Sequence, residues 1–153
     1  MRRILFATLA LGMILAGSAQ AADSETAAIR ATIVKAYENW GTLNPDANDA
    51  LYSAQADVAW YDISPMQYKG WADYKAGTKK LFEGFKDLTF TIGDDLVVTR
   101  ERKVAWVTLT WKGVAHLKDG KEMVLEGRAT EILQKQKGKW IIVHEHVSLP
   151  APL

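Results

Sequence analysis

Two hydrophobic periods divide this chain, one near 3.6 residues in its first half and one of two residues from Leu88 onward. Asp23 and Ser24 can cap a first helix in which Ile29, Ile33, Tyr37 and Trp40 return at helical spacing, with Gly41 as the C′ residue at its end. Asn44-Pro45 reads as an N-cap followed by proline at the first helical position, which starts a short second helix through about Tyr52. A strand follows over Val58 to Ile63 and stops at Ser64-Pro65. Trp71, Tyr74, Thr78, Leu81, Phe82 and Phe85 then fall on one stripe and predict a third helix with a large aromatic face.

Beyond that helix Leu88, Phe90 and Ile92 alternate with threonines up to the turn residues Gly93-Asp94-Asp95. Further strands are expected over Lys103 to Leu117, Glu122 to Lys135 and Trp140 to Ser148, separated by turns at Asp119-Gly120 and Lys137-Gly138. Helices first and antiparallel hairpins afterwards predict an α+β domain with the helices on one face of a curved sheet.

The N-terminal segment stands apart. Arg2-Arg3, the apolar run Ile4 to Ala16 and the small residues Ser18-Ala19-Gln20-Ala21 have the three regions of a secretory signal. Residues 1–21 are therefore expected to be a cleaved signal peptide and 22–153 a single domain, exported to the periplasm or secreted and free of the membrane after cleavage. The remaining 132 residues hold 17 basic and 18 acidic side chains, a net charge of −1 with histidine neutral, which removes the electrostatic basis for a nucleic-acid partner. There is no cysteine, so thiol, disulfide and zinc-thiolate chemistry are excluded. Carboxylates, three histidines and aromatics are left to carry any chemistry.

Two carboxylates are out of place. On the strand from Glu122 the odd positions Met123, Leu125, Gly127, Ala129 and Leu133 are apolar or small, and Glu131 interrupts them. On the last strand Ile141, Val143, Val147 and Leu149 share one face with Glu145, and Trp140, Ile142, His144, His146 and Ser148 share the other. Burial would raise both carboxyl pKa values, and proximity would hold one of them protonated, ready for acid–base work or for donating a hydrogen bond. Their relation depends on the Lys137-Gly138 turn. A three-residue loop with a bulge sets Glu131 near Val143 and Glu145 opposite Ala129, on one face, whereas a two-residue turn sets Glu131 opposite His144. The competing reading is that both reach solvent or pair with Arg128 or Lys135.

His144-x-His146 with His116 offers three imidazoles, but strand histidines of this kind more often make structural hydrogen bonds, and neither a metal nor a cofactor is expected. Tyr37, Trp40, Tyr52, Trp60 and Tyr61 can converge from the first helices and the first strand as an aromatic cavity with polar handles.

The order of elements and the ending Gly138-Lys139-Trp140 through Val143-His144-Glu145-His146 to Ser148-Leu149-Pro150 resemble the SnoaL-like branch of the nuclear transport factor 2-like (NTF2-like) superfamily. The ending is also similar to the association domain of calcium/calmodulin-dependent protein kinase II. The resemblance spans about Glu25 to Pro150 and implies a cone of three helices over a strongly curved antiparallel sheet, a cavity between them and a homodimer through the sheet. Compared with the ketosteroid isomerases of this superfamily, Ala56 to Asp62 matches the end of the first strand and puts Asp62 at the general-base position. Tyr37 and Glu131 fall within a residue of the two oxyanion donors, the second being a protonated acid in those relatives. Here Glu replaces Asp at that position. In the association domain, cavity arginines fall where this chain has Thr108, Glu131 and Val147, which implies that these three face inward and favours the bulged-loop register.

Together with the signal pattern, the resemblance implies an exported small-molecule-binding domain for a small apolar organic ligand, with export resting on the signal pattern alone. Asp62, Tyr37 and Glu131 are its candidate catalytic residues for isomerase- or dehydratase-type proton transfer. Trp40, Tyr52, Trp60, Thr108, Glu145 and Val147 are its candidate ligand-binding residues. The alternative is a non-enzymatic dimerisation or carrier module for a protein partner, and whether the domain is an enzyme stays open at this stage.

Overall fold

The first long helix, α1 (Ala7–Gly41), buries Ile29, Ile33, Ala36, Tyr37 and Trp40 along one stripe. The computed structural model describes residues 7–151, with side chains from Asp23 onward, so the expected signal over 1–21 lies outside the residues whose side chains are described. Asp23 and Ser24 sit inside α1 rather than capping it, and the alanines on either side keep helical preference continuous there. The left-handed residue after the helix is Leu43 (φ 58°), not Gly41. Gly41 serves close packing instead: a Cβ there would stand 3.2 Å from the Leu88 carbonyl oxygen.

The expected second helix shrinks to a single 3-10 turn, Pro45–Asn48, capped by Asn44 Oδ1, which accepts from the Asp46 N–H at 3.2 Å. Its continuation is claimed by a strand near the C-terminus: Ile142 donates to Leu51 O and accepts from Ser53 N–H, both at 2.8 Å, and that pairing holds the chain extended. The α-helices described are therefore two. The predicted 58–63 strand is short as well, with β1 (Ala59–Trp60) paired antiparallel to β2 (Tyr68–Lys69). Helix α2 (Gly70–Phe82) buries Trp71, Tyr74, Thr78 and Phe82, while Leu81 turns outward.

The remaining strands are β3 (Phe85–Ile92), β4 (Val97–Glu101), β5 (Val104–Leu117), β6 (Glu122–Gln136) and β7 (Lys139–Ser148). Their antiparallel order is β3-β5-β6-β7, and β4, which the alternation did not reveal, pairs with the first residues of β5. The connecting loop is pinned to β5, because Asp95 Oδ1 accepts from the Thr110 N–H and hydroxyl, each at 3.0 Å. Odd residues of β5 and β6 point inward, and Ala105, Val107, Leu109, Trp111, Ala129 and Leu133 join the helix stripes in one core. Thr108, expected to face inward, lies exposed opposite Thr130 on the other face of the sheet.

The β6–β7 hairpin contains elements of both expected registers. Lys137 (φ 48°) and Gly138 (φ 84°) form a two-residue turn between the paired Gln136 and Lys139. A bulge then follows inside the strands: Leu133 faces Ile142, Ile132 faces His144, and Val143 is the extra residue. The inward side of β7 therefore changes phase, from Trp140 and Ile142 before the bulge to Glu145 after it. Among the described residues no helix is long and apolar enough to cross a membrane.

Trp111 lies across Gly127 of β6. A Cβ at Gly127 would come within 2.5 Å of the Trp111 ring and 2.9 Å of the Ser148 carbonyl oxygen. Gly127→Ala is expected to lower stability by about 1–3 kcal/mol through overpacking. Chemical denaturation checks this, and a variant as stable as the parent would refute the close packing.

Candidate functional site

The bulge sets Glu131 and Glu145 directly opposite each other on the inner face of β6 and β7, where they are 0% and 3% exposed. Glu145 is well supplied with donors. Its Oε2 accepts from the Tyr52 hydroxyl at 2.6 Å and its Oε1 from the Tyr74 hydroxyl at 2.5 Å, while Trp40 Nε1 donates to the Tyr52 oxygen at 3.0 Å. Glu131 is not: neither of its oxygens meets an N–H or O–H donor among the described residues. Across the strand pair it faces the Glu145 carboxyl. Two buried carboxyls facing each other resist ionising together, and because two hydroxyls already favour the charged form of Glu145, the proton belongs to Glu131. Burial first, then the nearby Glu145 charge, push Glu131 well above the usual carboxyl range. Burial also raises Glu145, against the pull of its two tyrosine donors.

The aromatic groups around this pair come from separate elements. Tyr52 stacks on Trp71 with ring centroids 4.4 Å apart, and Trp40 packs against Tyr74 at 5.5 Å. Trp71 is tied back to the 3-10 region by its Nε1 bond to Asp49 Oδ1 at 2.7 Å.

Glu145 also faces a cavity of about 120 Å³ between the two helices and the sheet. That is on the scale of a site of ~150 Å³ that takes up benzene. Tyr37 and Trp40 of α1, Tyr74 of α2, Trp111 of β5, and Glu145 and Val147 of β7 contribute to its wall, with Phe82, Phe85, Leu88 and Phe90 completing the apolar side. The exposed Ile63 and Leu81 stand at its rim. Asp62 joins the wall because the chain after β1 runs parallel to β7, with Tyr61 N–H donating to Glu145 O at 3.0 Å and Val147 N–H to Tyr61 O at 2.9 Å. Asp62 Oδ1 accepts from the Ile63 N–H at 2.7 Å, and burial raises its pKa despite that bond. The Tyr37 hydroxyl finds no protein hydrogen-bond partner among the described residues, and burial with three carboxyls nearby pushes its pKa well up, so it stays a neutral O–H.

Of the residues singled out from the sequence, Tyr37, Trp40, Asp62, Glu145 and Val147 therefore line one cavity. Tyr52, Trp60 and Glu131 are set behind its wall, the first and last as partners of Glu145, and Thr108 is on the opposite face of the sheet. Tyr74 is the functional group that sequence reasoning passed over. Its place in the α2 stripe marks it as buried, but nothing local shows that its hydroxyl meets Glu145, 71 residues away.

The histidines make local contacts. His116 pairs with Asp87 at 2.6 Å and Glu122 at 3.3 Å, and His144 Nδ1 lies 2.8 Å from the Ala59 carbonyl, which requires Nδ1 to be the protonated nitrogen. No group of three or more histidine or acidic side chains among the described residues is placed to hold a metal ion.

An antiparallel sheet wrapped by N-terminal helices around a buried cavity is the architecture of the NTF2-like superfamily. Within it the chain belongs to the SnoaL-like domain family, which matches residues 29–152. Its fold is similar to that of an NTF2-like superfamily protein from Salmonella enterica serovar Typhimurium (TM-score 0.79, 18% identity, 86% of this chain and 94% of that one). It is also similar to a candidate dehydratase of the NTF2-like family from Streptomyces avermitilis (0.75, 15%, 85% and 99%). A third similar structure is a candidate calcium/calmodulin-dependent protein kinase II association domain from Xanthomonas campestris (0.70, 17%, 82% and 87%). No curated protein matches the chain in sequence.

The carboxyl pair has a measurable signature. Glu131 keeps its proton in the folded state to higher pH than the ordinary carboxyl value of 4.5 that holds when unfolded. Its contribution is thus fully present below that value and is lost as pH rises toward the folded pKa. Glu131→Gln retains an N–H donor toward Glu145 and removes this titration. Between pH 5 and 8 the variant is expected to gain stability relative to the parent, with a limiting slope of about 1.4 kcal/mol per pH unit. Denaturation at several pH values reads this out, and parallel curves for the two proteins would contradict a protonated Glu131.

Proposed function

We propose that the chain is an exported small-molecule-binding protein whose cavity performs acid–base chemistry of the isomerase or dehydratase type on a small organic ligand. The observation carrying this reading is that the Asp62 and Glu145 carboxyls share one aromatic-walled cavity with Tyr37, whose hydroxyl has no protein partner. Asp62 is the general base. One of its oxygens is held by the Ile63 N–H, the other has no protein donor among the described residues, and burial raises its basicity above that of an ordinary carboxylate. Tyr37 is the neutral donor for an oxygen that gains charge as the proton leaves a neighbouring carbon. Returning that proton at another carbon completes an isomerisation. Handing that proton from Asp62 to a β-hydroxyl, which leaves as water, completes a dehydration, and the similarity to a candidate dehydratase of the same fold supports this second outcome.

Trp40 and Val147 shape the ligand space, and Tyr52, Tyr74 and Glu131 keep Glu145 in place. The exposed apolar residues Trp106, Val104 and Val97 on β4 and β5 support a homodimer through the sheet, and the likeness to an association domain is consistent with it.

The chemistry is tested by dissolving cyclohexanone with the protein in D2O and following loss of its α-proton signals by NMR. The parent is expected to accelerate exchange over buffer, with Asp62→Asn lowering the rate by about 100-fold or more and Tyr37→Phe by about 10-fold. Exchange that is equally fast in the Asp62→Asn protein would remove Asp62 from the role of base. Native mass spectrometry of protein recovered from the cell exterior tests export and assembly together. A dimer of chains beginning at Ala22 is expected, and a monomer or a retained residue 1–21 segment would refute the corresponding part.

A further inference from the structure

The cavity wall bears acidic groups and no basic one. Asp62 and Glu145 face it, Glu131 stands behind Glu145, and among the described residues lining it there is no Lys, Arg or His. None of these three carboxyls takes part in an ion pair among the described residues. Glu145 is stabilised only by neutral donors, the Tyr52 and Tyr74 hydroxyls, which spread its charge without cancelling it. A buried carboxylate without a counter-charge is costly. A second observation points the same way. Tyr37, 7% exposed and on the cavity wall, has a hydroxyl oxygen that receives no hydrogen bond from any described residue.

The rest of the wall suits a positive charge as well. Trp40, Tyr74, Phe90 and Trp111 present aromatic rings to the same space, and ring faces attract ammonium groups most strongly where water is excluded. An anionic ligand would meet repulsion from Asp62 and Glu145, and a neutral one would leave their charge unbalanced.

We infer that the ligand of this cavity is a small organic cation, an alkyl- or cycloalkylammonium compound of about one ring, bound through the Glu145 carboxylate with its carbon frame against the aromatic wall and Asp62, farther from the ammonium, adding its field while it stays free as the base. The inference rests on the reading of this cavity as the ligand site, and it narrows the proposed substrate to a carbonyl or hydroxyl compound that also carries a charged amine. The Tyr37 oxygen can then accept from the ammonium or donate to the ligand oxygen.

Three probes with the same ring separate the possibilities: cyclohexylammonium, cyclohexanol and cyclohexanecarboxylate, titrated into the full-length protein by calorimetry at pH 7.5. Cyclohexylammonium is expected to bind about ten-fold tighter than cyclohexanol, the scale of one desolvated cation–ring contact, and cyclohexanecarboxylate not to bind. Glu145→Gln is expected to weaken cyclohexylammonium by about ten-fold and Asp62→Asn by about three-fold, each leaving cyclohexanol within about two-fold. Asp62 lies outside the carboxyl pair, so its variant keeps the test decisive if Glu145→Gln does not fold. Cyclohexanol binding as tightly as the ammonium would overturn the cationic ligand and leave the cavity as a binding site. Failure of all three probes to bind would overturn both.

Discussion

Two carboxyl groups face each other inside the protein, on neighbouring strands, and the arrangement around them follows from what that juxtaposition demands. Burial and proximity oppose ionising both, so Glu131 keeps its proton, and the remaining charge on Glu145 needs donors that solvent does not supply. Tyr52 comes to it from just beyond the 3-10 turn and Tyr74 from α2, with Trp40 of α1 donating in turn to Tyr52. The elements packed over the sheet are thereby joined to one side chain of β7. As core residues these two acids are poor choices, since apolar side chains of similar volume would fill the space without desolvating a charge. Their position at the base of a cavity gives the charge a use that packing alone does not.

The register that creates the pair depends on a single inserted residue. With the two-residue turn alone, strict alternation would carry the Trp140 and Ile142 face on to His144, and Glu145 would point outward. The extra residue Val143 changes the phase, so β7 offers an apolar anchor at one end and a carboxylate at the other from opposite parities of the sequence. Alternation along β5 and β6 was legible in the sequence, as was the inward placement of Glu131, because no bulge disturbs their pairing from Val104 opposite Gln134 to His116 opposite Glu122. The turn and the face could each be anticipated for β7, but not their combination, since a bulge leaves no residue signature as plain as the Lys137-Gly138 turn.

Other parts were hidden for related reasons. A helix after Asn44-Pro45 is locally reasonable, yet the distant Ile142 backbone competes for the same residues and wins by pairing with Leu51 and Ser53. β4 has the exposed, half-buried rhythm of a strand held mainly by β5, and so little apolar signal to read. Thr108 was placed inward by resemblance alone, and its own neighbours Val107 and Leu109 carry the buried positions. Tyr74 was visible as an aromatic of the α2 stripe, while the function of its hydroxyl exists only in the tertiary structure.

The family and the fold narrow the chemistry without choosing it, because the same cone supports different activities and likeness below 25% identity speaks only of architecture. The charge balance of this chain's cavity narrows it further. Donors that solvate an anion without neutralising it leave Glu145 and Asp62 able to exchange protons and also able to attract a cation. A cationic side chain in the wall would have fixed the carboxylates as a structural ion pair, low in pKa and closed to both uses. Burial among aromatic side chains keeps them basic, against the pull of the hydroxyl donors on Glu145, and the same feature that makes the cavity costly to fold keeps it ready to accept a proton or a positive charge.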